Sequence, residues 1–128
     1  MKLSKAEEQL MEIIWKLKRG FFKDIMDNYA EPKPATTTIV TLLKRMQEKG
    51  AVAYDLFGNS RQYYPLIPKE DYFKKQMSGI VKDFFGDSAL QFASFFATSG
   101  SMSAKELEEL KKIVEQEIKR KQNDNLAD

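Results

Sequence analysis

The chain has 128 residues, a length that suits one compact domain or two small lobes. Hydrophobic residues make up 42% and aromatic residues 12%, which is enough for a real core and excludes wholesale disorder. The chain has no cysteine and no histidine, so disulfides, thiolate or imidazole metal sites and histidine-based catalysis are excluded. We therefore expect a protein that is not an enzyme and that has no catalytic residues, no metal and no cofactor.

The small net charge of +2 is unevenly distributed. Residues 1–68 carry 11 basic and 8 acidic side chains, whereas residues 103–128 carry 6 and 7. This asymmetry predicts two regions with different partners. No apolar run approaches the roughly 18 residues of a membrane helix, and no charged-then-apolar leader opens the sequence. A cytoplasmic protein without membrane insertion is the expectation.

Apolar residues recur with helical periodicity before residue 50. Helices are predicted over 5–18, 21–29 and 35–49; Ser4 and Glu7 have capping-box spacing, and two prolines at 32 and 34 interrupt the chain. The pair Glu7–Glu8 is expected on a solvated face. Four methionines, Met11, Met26, Met46 and Met77, are expected in the core.

Two β-prone runs, 51–57 and 61–66, flank Gly58-Asn59-Ser60 and predict a hairpin. Three further helices are expected: one ending near Gly86, one after Ser88 and one from Ser103 to about Arg120, with a fraying polar tail over 121–128. We place a domain boundary between residues 68 and 69.

The order helix, helix, turn, helix, hairpin is that of a winged helix-turn-helix, in which the third helix enters the DNA major groove. The fold class is therefore mostly α with a small β-hairpin: a winged-helix DNA-binding domain over 1–68, then an α-helical dimerisation domain over 69–128. Threonine hydroxyls and methyls can read base edges, and basic side chains can bind phosphates. The expected DNA-binding residues are Thr37, Thr38, Val40, Thr41, Lys44, Arg45 and Arg61. Taken alone, the threonines are equally compatible with ordinary helix surface, whereas Lys44, Arg45 and Arg61 are more typical of ordinary protein surface. Hairpin tyrosines such as Tyr54 are expected to cover the sheet.

The C-terminal region carries more apolar surface than a small domain can cover, and its middle helix is apolar on nearly every side. A second copy of the chain is the expected partner. The alternative is a monomeric bundle that folds back on the first domain. The expected dimer interface consists of Phe84, Phe92, Phe96, Leu110 and Val114.

Several segments together resemble the penicillinase repressor (BlaI/MecI) family, which includes the copper-responsive CopY repressors. The similarity runs from about Leu3 to Arg120 and rests on these segments: Leu3-Ser4-Lys5-Ala6-Glu7, Glu12-Ile13-Ile14-Trp15, Thr37-Thr38-Ile39-Val40-Thr41-Leu42-Leu43-Lys44-Arg45-Met46, Glu48-Lys49-Gly50 and Ser103-Ala104-Lys105-Glu106-Leu107-Glu108-Glu109-Leu110.

This resemblance implies a dimeric repressor on a palindromic operator. It also implies derepression when a membrane sensor-protease detects a β-lactam and the repressor is cleaved at an Asn-Phe bond. The matching bond here is Gln91-Phe92, with Gln in place of Asn. Staphylococcal members carry basic residues where this chain has Thr37 and Val40, so the operator need not be the same. The cysteine cluster of the copper-responsive branch is absent, which excludes copper sensing by that route.

Two other functions stay open at this stage. One is a winged-helix regulator whose C-terminal part binds a small apolar ligand directly. The other is a helical protein–protein adaptor that does not bind DNA.

Overall fold

The computed structural model describes residues 1–127 and divides into two compact units, Met1–Lys75 and a second unit that begins at Gln76. The predicted class, mostly helical with a small sheet, is confirmed. In chain order the elements are α1 (Lys5–Leu17), β1 (Gly20–Phe21), α2 (Phe22–Asp27), α3 (Thr36–Glu48), β2 (Val52–Phe57), β3 (Ser60–Pro65), α4 (Lys69–Phe84), α5 (Ala89–Thr98) and α6 (Ala104–Ala127). None of the described helices is both long and apolar enough to cross a membrane.

The hairpin β2–β3 is the predicted wing, and its turn contains Gly58 at a positive φ of 63°. A third strand was not predicted: β1 pairs antiparallel with β3, so that the order is β1-β3-β2. The prediction of a helix from Phe21 was therefore wrong by one residue, because Phe21 pairs with Gln62. Gly20 also lies tightly against α1, since a Cβ there would lie 2.8 Å from a Leu17 methyl group.

The core of the first unit lies between α1, α2, α3 and the sheet. Helix α3 buries one stripe, as its periodicity predicted, and leaves the opposite face exposed. The stripe consists of Ile39, Leu42, Leu43 and Met46. Burial of each such side chain stabilises the fold by about 1.5–3 kcal/mol, so the orientation of α3 is fixed by its inner face.

Glu7 is buried, with 2% of its surface exposed, which corrects the prediction of a solvated position. Its Oε1 accepts hydrogen bonds from the Ser4 N–H (2.8 Å) and from Lys49 Nζ (2.7 Å), while Oε2 has no partner. Burial acts to raise the pKa of Glu7, but the bonds from Lys49 and Ser4 outweigh it and leave the pKa below its ordinary value. The carboxylate thereby ties the start of α1 to the residue that follows α3.

The beginning of α4 belongs to the first unit and packs on α1. Trp15 Nε1 donates to the Ile67 carbonyl (2.8 Å), and the Tyr72 hydroxyl donates to Glu8 Oε2 (2.6 Å). Burial and this bond to a carboxylate raise the pKa of Tyr72 to about 12. Trp15 thus packs α1 against its neighbours, as expected.

The second unit has almost no interior of its own. Among residues 76–126 only Val81 is buried. Two aromatic rings of α5, Phe92 and Phe95, contact Phe85, with Phe85 and Phe92 centroids 5.5 Å apart, and Phe96 stacks on Phe92. Met77 is exposed, so its predicted place in a core was wrong for the single chain: it lies in the part of α4 beyond the first unit.

Helix α6 is longer than predicted. Ser103 and Glu106 form the expected capping box, with bonds of 3.0 and 3.1 Å. The helix continues past Arg120 to Ala127 rather than fraying, since the segment contains neither glycine nor proline and Arg120 pairs with Asp124 at 3.6 Å. The last residue of the predicted tail, Asp128, lies outside the described residues.

Candidate nucleic-acid interface

The outer face of α3 carries two neighbouring stripes of exposed side chains. In the first, Thr37, Thr38, Thr41 and Arg45 line one shallow concave surface. The Thr41 hydroxyl donates to the Thr37 carbonyl at 2.9 Å, a bond to the preceding helical turn. In the free protein Thr41 therefore offers a methyl group and hydroxyl lone pairs, rather than a free O–H, to anything that contacts this face.

The second stripe consists of Val40 and Lys44, one helical turn apart. Val40 is 55% exposed, which is unusual for a β-branched apolar residue in a helix whose inner face is fully buried. It lies on the side of α3 that faces the wing, where it lines a groove together with Arg61. The structure thus brings Val40 and Arg61 together, whereas the threonines lie on the neighbouring stripe.

Arg61 is held in place by aromatic rings. Its guanidinium carbon lies 4.3 Å from the centroid of the Tyr54 ring, and it also interacts with the Tyr63 side chain. The interactions with Tyr63 and Tyr54 raise the pKa of Arg61. Tyr63 is buried and Tyr54 half-buried, as expected for tyrosines that cover a sheet. The supporting role of Tyr54 was not predicted, although its cross-strand neighbour follows from the hairpin register.

A second cation–π contact lies on the opposite face of the sheet. Arg19 lies 4.4 Å from the Tyr64 centroid and pairs with Asp55 at 2.9 Å. Because residues directly opposite in a ladder share a face and consecutive residues alternate, Tyr64 lies on the side of the sheet away from Tyr54 and Tyr63. The acidic side chain of the wing, Asp55, therefore already has a basic partner.

One further basic residue was missed by sequence reasoning. Lys23 lies in the first turn of α2 and lines the same groove as Val40 and Arg61, which we call the α3–wing groove. The groove has a volume of about 430 Å³. Only the position of Lys23 directly after Phe21-Phe22 could have signalled this in the sequence, and that signal is weak.

The second unit presents an apolar surface. Of the predicted interface residues, Phe84 is 78% exposed, Phe96 and Val114 are exposed, and Phe92 and Leu110 are half-buried. The exposed apolar residues of this unit that the predicted interface did not include are Met77, Ile80, Leu90, Phe95, Leu107, Ile113, Ile118 and Leu126. Exposed apolar surface of this extent is typical of interaction sites.

The bond Gln91-Phe92 lies in the first turn of α5. The Gln91 N–H donates to Ser88 Oγ (3.1 Å) and the Phe92 N–H to the Ser88 carbonyl (3.1 Å). Gln91 is exposed and Phe92 half-buried against Phe85. The bond is thus in helical conformation at a helix start, the part of a helix that opens with the fewest hydrogen bonds broken.

Comparison with known proteins agrees with this architecture. The chain is 26% identical over 120 residues to the penicillinase repressor of Bacillus licheniformis, covering 93% of this chain and 94% of that protein. It is also 26% identical over 113 residues to the methicillin resistance regulatory protein MecI of Staphylococcus aureus, covering 88% and 92%.

Among solved structures, the DNA-binding domain of the repressor BlaI matches with a TM-score of 0.50 and 29% identity, covering 56% of this chain and 88% of that domain. The family model for penicillinase repressors matches residues 3–116. The chain therefore belongs to the penicillinase repressor family.

Proposed function

We propose that this protein is a transcriptional repressor that binds operator DNA through the outer face of α3 and the wing. The observation that carries the proposal is the arrangement of α3. Its inner stripe is buried, so the outer face with Thr37, Thr41 and Arg45 is held toward solvent beside a wing that bears an ordered Arg61. Threonine, valine and basic side chains supply the methyl, hydroxyl and cationic contacts that base edges and phosphates require.

In this proposal the first unit enters the major groove with α3. Thr37, Thr38, Val40 and Thr41 contact base edges, whereas Lys44, Arg45 and Arg61 contact phosphates. The likeness to the BlaI DNA-binding domain and to two repressors of resistance genes supports this assignment. The valine at position 40 favours a thymine methyl group as its contact.

The second unit would pair with the second unit of another copy. A helical unit in which Val81 is the one buried residue among residues 76–126 cannot be stable with its phenylalanines in water. Pairing through Phe84, Phe92, Phe96, Leu110 and Val114 would bury them and present two α3 helices to the half-sites of a palindrome.

Derepression would follow from cleavage of this dimerising unit. Cutting Gln91-Phe92 removes α6 from the first unit and with it the avidity of two linked half-site contacts. The inducer would be a β-lactam sensed by a membrane protease. After β-lactam treatment of the source cells, an immunoblot should show a fragment ending at Gln91; induction of the target genes with an intact chain would contradict this route.

DNA binding itself is tested with the purified full chain and a fluorescent random-sequence duplex. Anisotropy should rise with protein at low salt and fall steeply as salt is added, because phosphate contacts release counterions. If the anisotropy does not change at low salt, the protein does not bind DNA, and the alternative of a helical protein–protein adaptor is favoured.

A further inference from the structure

The α3–wing groove combines an apolar floor with a cationic rim. Phe22, Val40 and Tyr63 contribute apolar surface, and Lys23 and Arg61 contribute positive charge. None of the described residues that line this groove is acidic. A ligand that fits such a surface has an uncharged, carbon-rich part next to a negative group.

The acidic residues nearest in sequence have other partners. Asp24 follows Lys23, but its Oδ2 accepts from the Phe21 N–H at 3.0 Å. Asp55 of β2 pairs with Arg19 on the other face of the sheet. The positive charge of the groove therefore has no ion-pair partner among the described residues that line it and is available to an anion from outside.

The groove also lies where a DNA strand would pass. Val40 belongs to the face of α3 that the proposed function places in the major groove, and Arg61 belongs to the wing, which lies along the backbone in this fold. The sugar–phosphate backbone is a repeating unit of a carbon-rich ring and a negative phosphate, which matches the chemistry of floor and rim.

We propose that the α3–wing groove holds one sugar–phosphate unit of the bound DNA strand, with Lys23 and Arg61 on the phosphate and Phe22 and Tyr63 against the sugar, while Val40 at the edge of the groove faces the base. The inference rests on the proposed function and adds Lys23 to its phosphate contacts. Since Arg61 is already ordered by Tyr54 and Tyr63, it fixes the position of the phosphate, and the flexible ammonium of Lys23 completes the contact.

The test compares Lys23→Gln with Lys16→Gln in the full-length protein. Both variants remove one positive charge from an exposed helical position in the first unit. Lys16 is a suitable control because it lies one turn after Glu12, which pairs with Lys69 of α4, and it does not line the groove. Lys23→Arg serves as the rescue variant.

Affinity for a duplex enriched from random DNA is measured by anisotropy over a series of salt concentrations. The slope of log affinity against log salt should become shallower by about 0.9 per bound protomer in Lys23→Gln, remain unchanged in Lys16→Gln and be restored in Lys23→Arg. Replacing backbone phosphates one at a time by uncharged methylphosphonates should weaken the wild type at several positions per half-site, and Lys23→Gln should reduce the penalty at one of these positions only.

Each contrary result has a distinct meaning. Equal slopes for Lys23→Gln and the wild type, or equal losses for Lys23→Gln and Lys16→Gln, would overturn the groove contact and leave the repressor function standing. Weaker binding by Lys23→Gln with an unchanged slope would also overturn it, because the loss would not come from a phosphate. A wild type that binds no duplex at low salt would overturn the proposed function and this inference together.

Discussion

The guanidinium carbon of Arg61 lies 4.3 Å from the centroid of the Tyr54 ring, across the pair of strands that forms the wing. The ring orders a cation that would otherwise sample many conformations at an exposed position. Ordering before binding reduces the entropy lost on binding. The wing therefore presents a preorganised cation to DNA rather than a flexible basic loop.

Replacing Tyr54 by Leu should weaken DNA binding while every charge is kept. An exposed cation–π contact contributes about 0.5–1 kcal/mol, which corresponds to a loss of roughly two- to five-fold in affinity per protomer. Tyr64→Leu is the matched control, since it removes the ring beneath Arg19 on the other face of the sheet. Anisotropy titrations of the two variants measure their affinity for DNA. Equal losses of affinity would show that the Tyr54 ring has no specific role in DNA binding.

The Thr41 side chain tests base contact against phosphate contact. Thr41→Ala should weaken binding to the enriched sequence more than to random DNA, because it removes a methyl and a hydroxyl from a base-edge position. Lys44→Ala should weaken both alike and make the salt slope shallower by about 0.9 per protomer. Equal losses of Thr41→Ala on both duplexes would remove Thr41 from base readout.

The nature of the Thr41 contact can be resolved further. Its hydroxyl already donates to the Thr37 carbonyl, so we expect the methyl group to contribute most of the recognition. Thr41→Val keeps the methyl and should retain most sequence preference, whereas Thr41→Ser should lose most of it. The opposite order in competition titrations would show that the hydroxyl makes the contact.

Glu7 predicts a pH dependence of stability. Its pKa is lowered in the folded chain, so its contribution is fully present above the ordinary carboxyl pKa and is lost as pH falls through the lower folded value. Denaturant unfolding at pH 7 should show a loss of about 1–3 kcal/mol for Glu7→Gln, since Lys49 loses a charged partner at a buried site. The variant should also lose less stability than the wild type between pH 5 and 3, by roughly the contribution of one shifted carboxylate.

Glu12→Gln is the control for this effect. Glu12 pairs with Lys69 while both side chains are about half exposed, a situation that contributes about 0–1 kcal/mol. If the two variants showed the same acid sensitivity, the buried position of Glu7 would not be the cause.

Association through the second unit predicts that Phe96→Asp is monomeric. A carboxylate at the centre of an apolar interface would be desolvated without a partner, which costs far more than the lost contact. Sedimentation velocity should give a dimer for the wild type and a folded monomer for the variant. Ser94→Asp adds the same charge to α5 on the side away from Phe96 and should remain dimeric; a folded, dimeric Phe96→Asp would remove Phe96 from the interface.

Local signals predicted the helices of the first unit closely. The predicted spans 5–18 and 35–49 compare with Lys5–Leu17 and Thr36–Glu48, because a capping box marks the start of α1 and Gly50 the end of α3. The features that sequence reasoning missed depend on distant partners. Strand β1 exists only because Gly20 meets Tyr63, and Glu7 is buried because Lys49 reaches it from 42 residues away.

The candidate site was predictable only where it depends on local sequence. The outer residues of α3 follow from helical periodicity, so their shared exposure could be anticipated. The groove beside Val40 is built from α2, α3 and the wing, which no local pattern relates to one another. Lys23 and Tyr54 therefore became candidates only when these elements were seen side by side.

A selection from random duplex DNA with the purified protein, with its mass in solution measured alongside, tests the central claim most directly. We expect a dimer that enriches an inverted repeat whose half-sites lie a whole number of helical turns apart, about 34–36 Å for one turn. A dimer that enriches no sequence would contradict it, and the threonine face of α3 would then be ordinary helix surface.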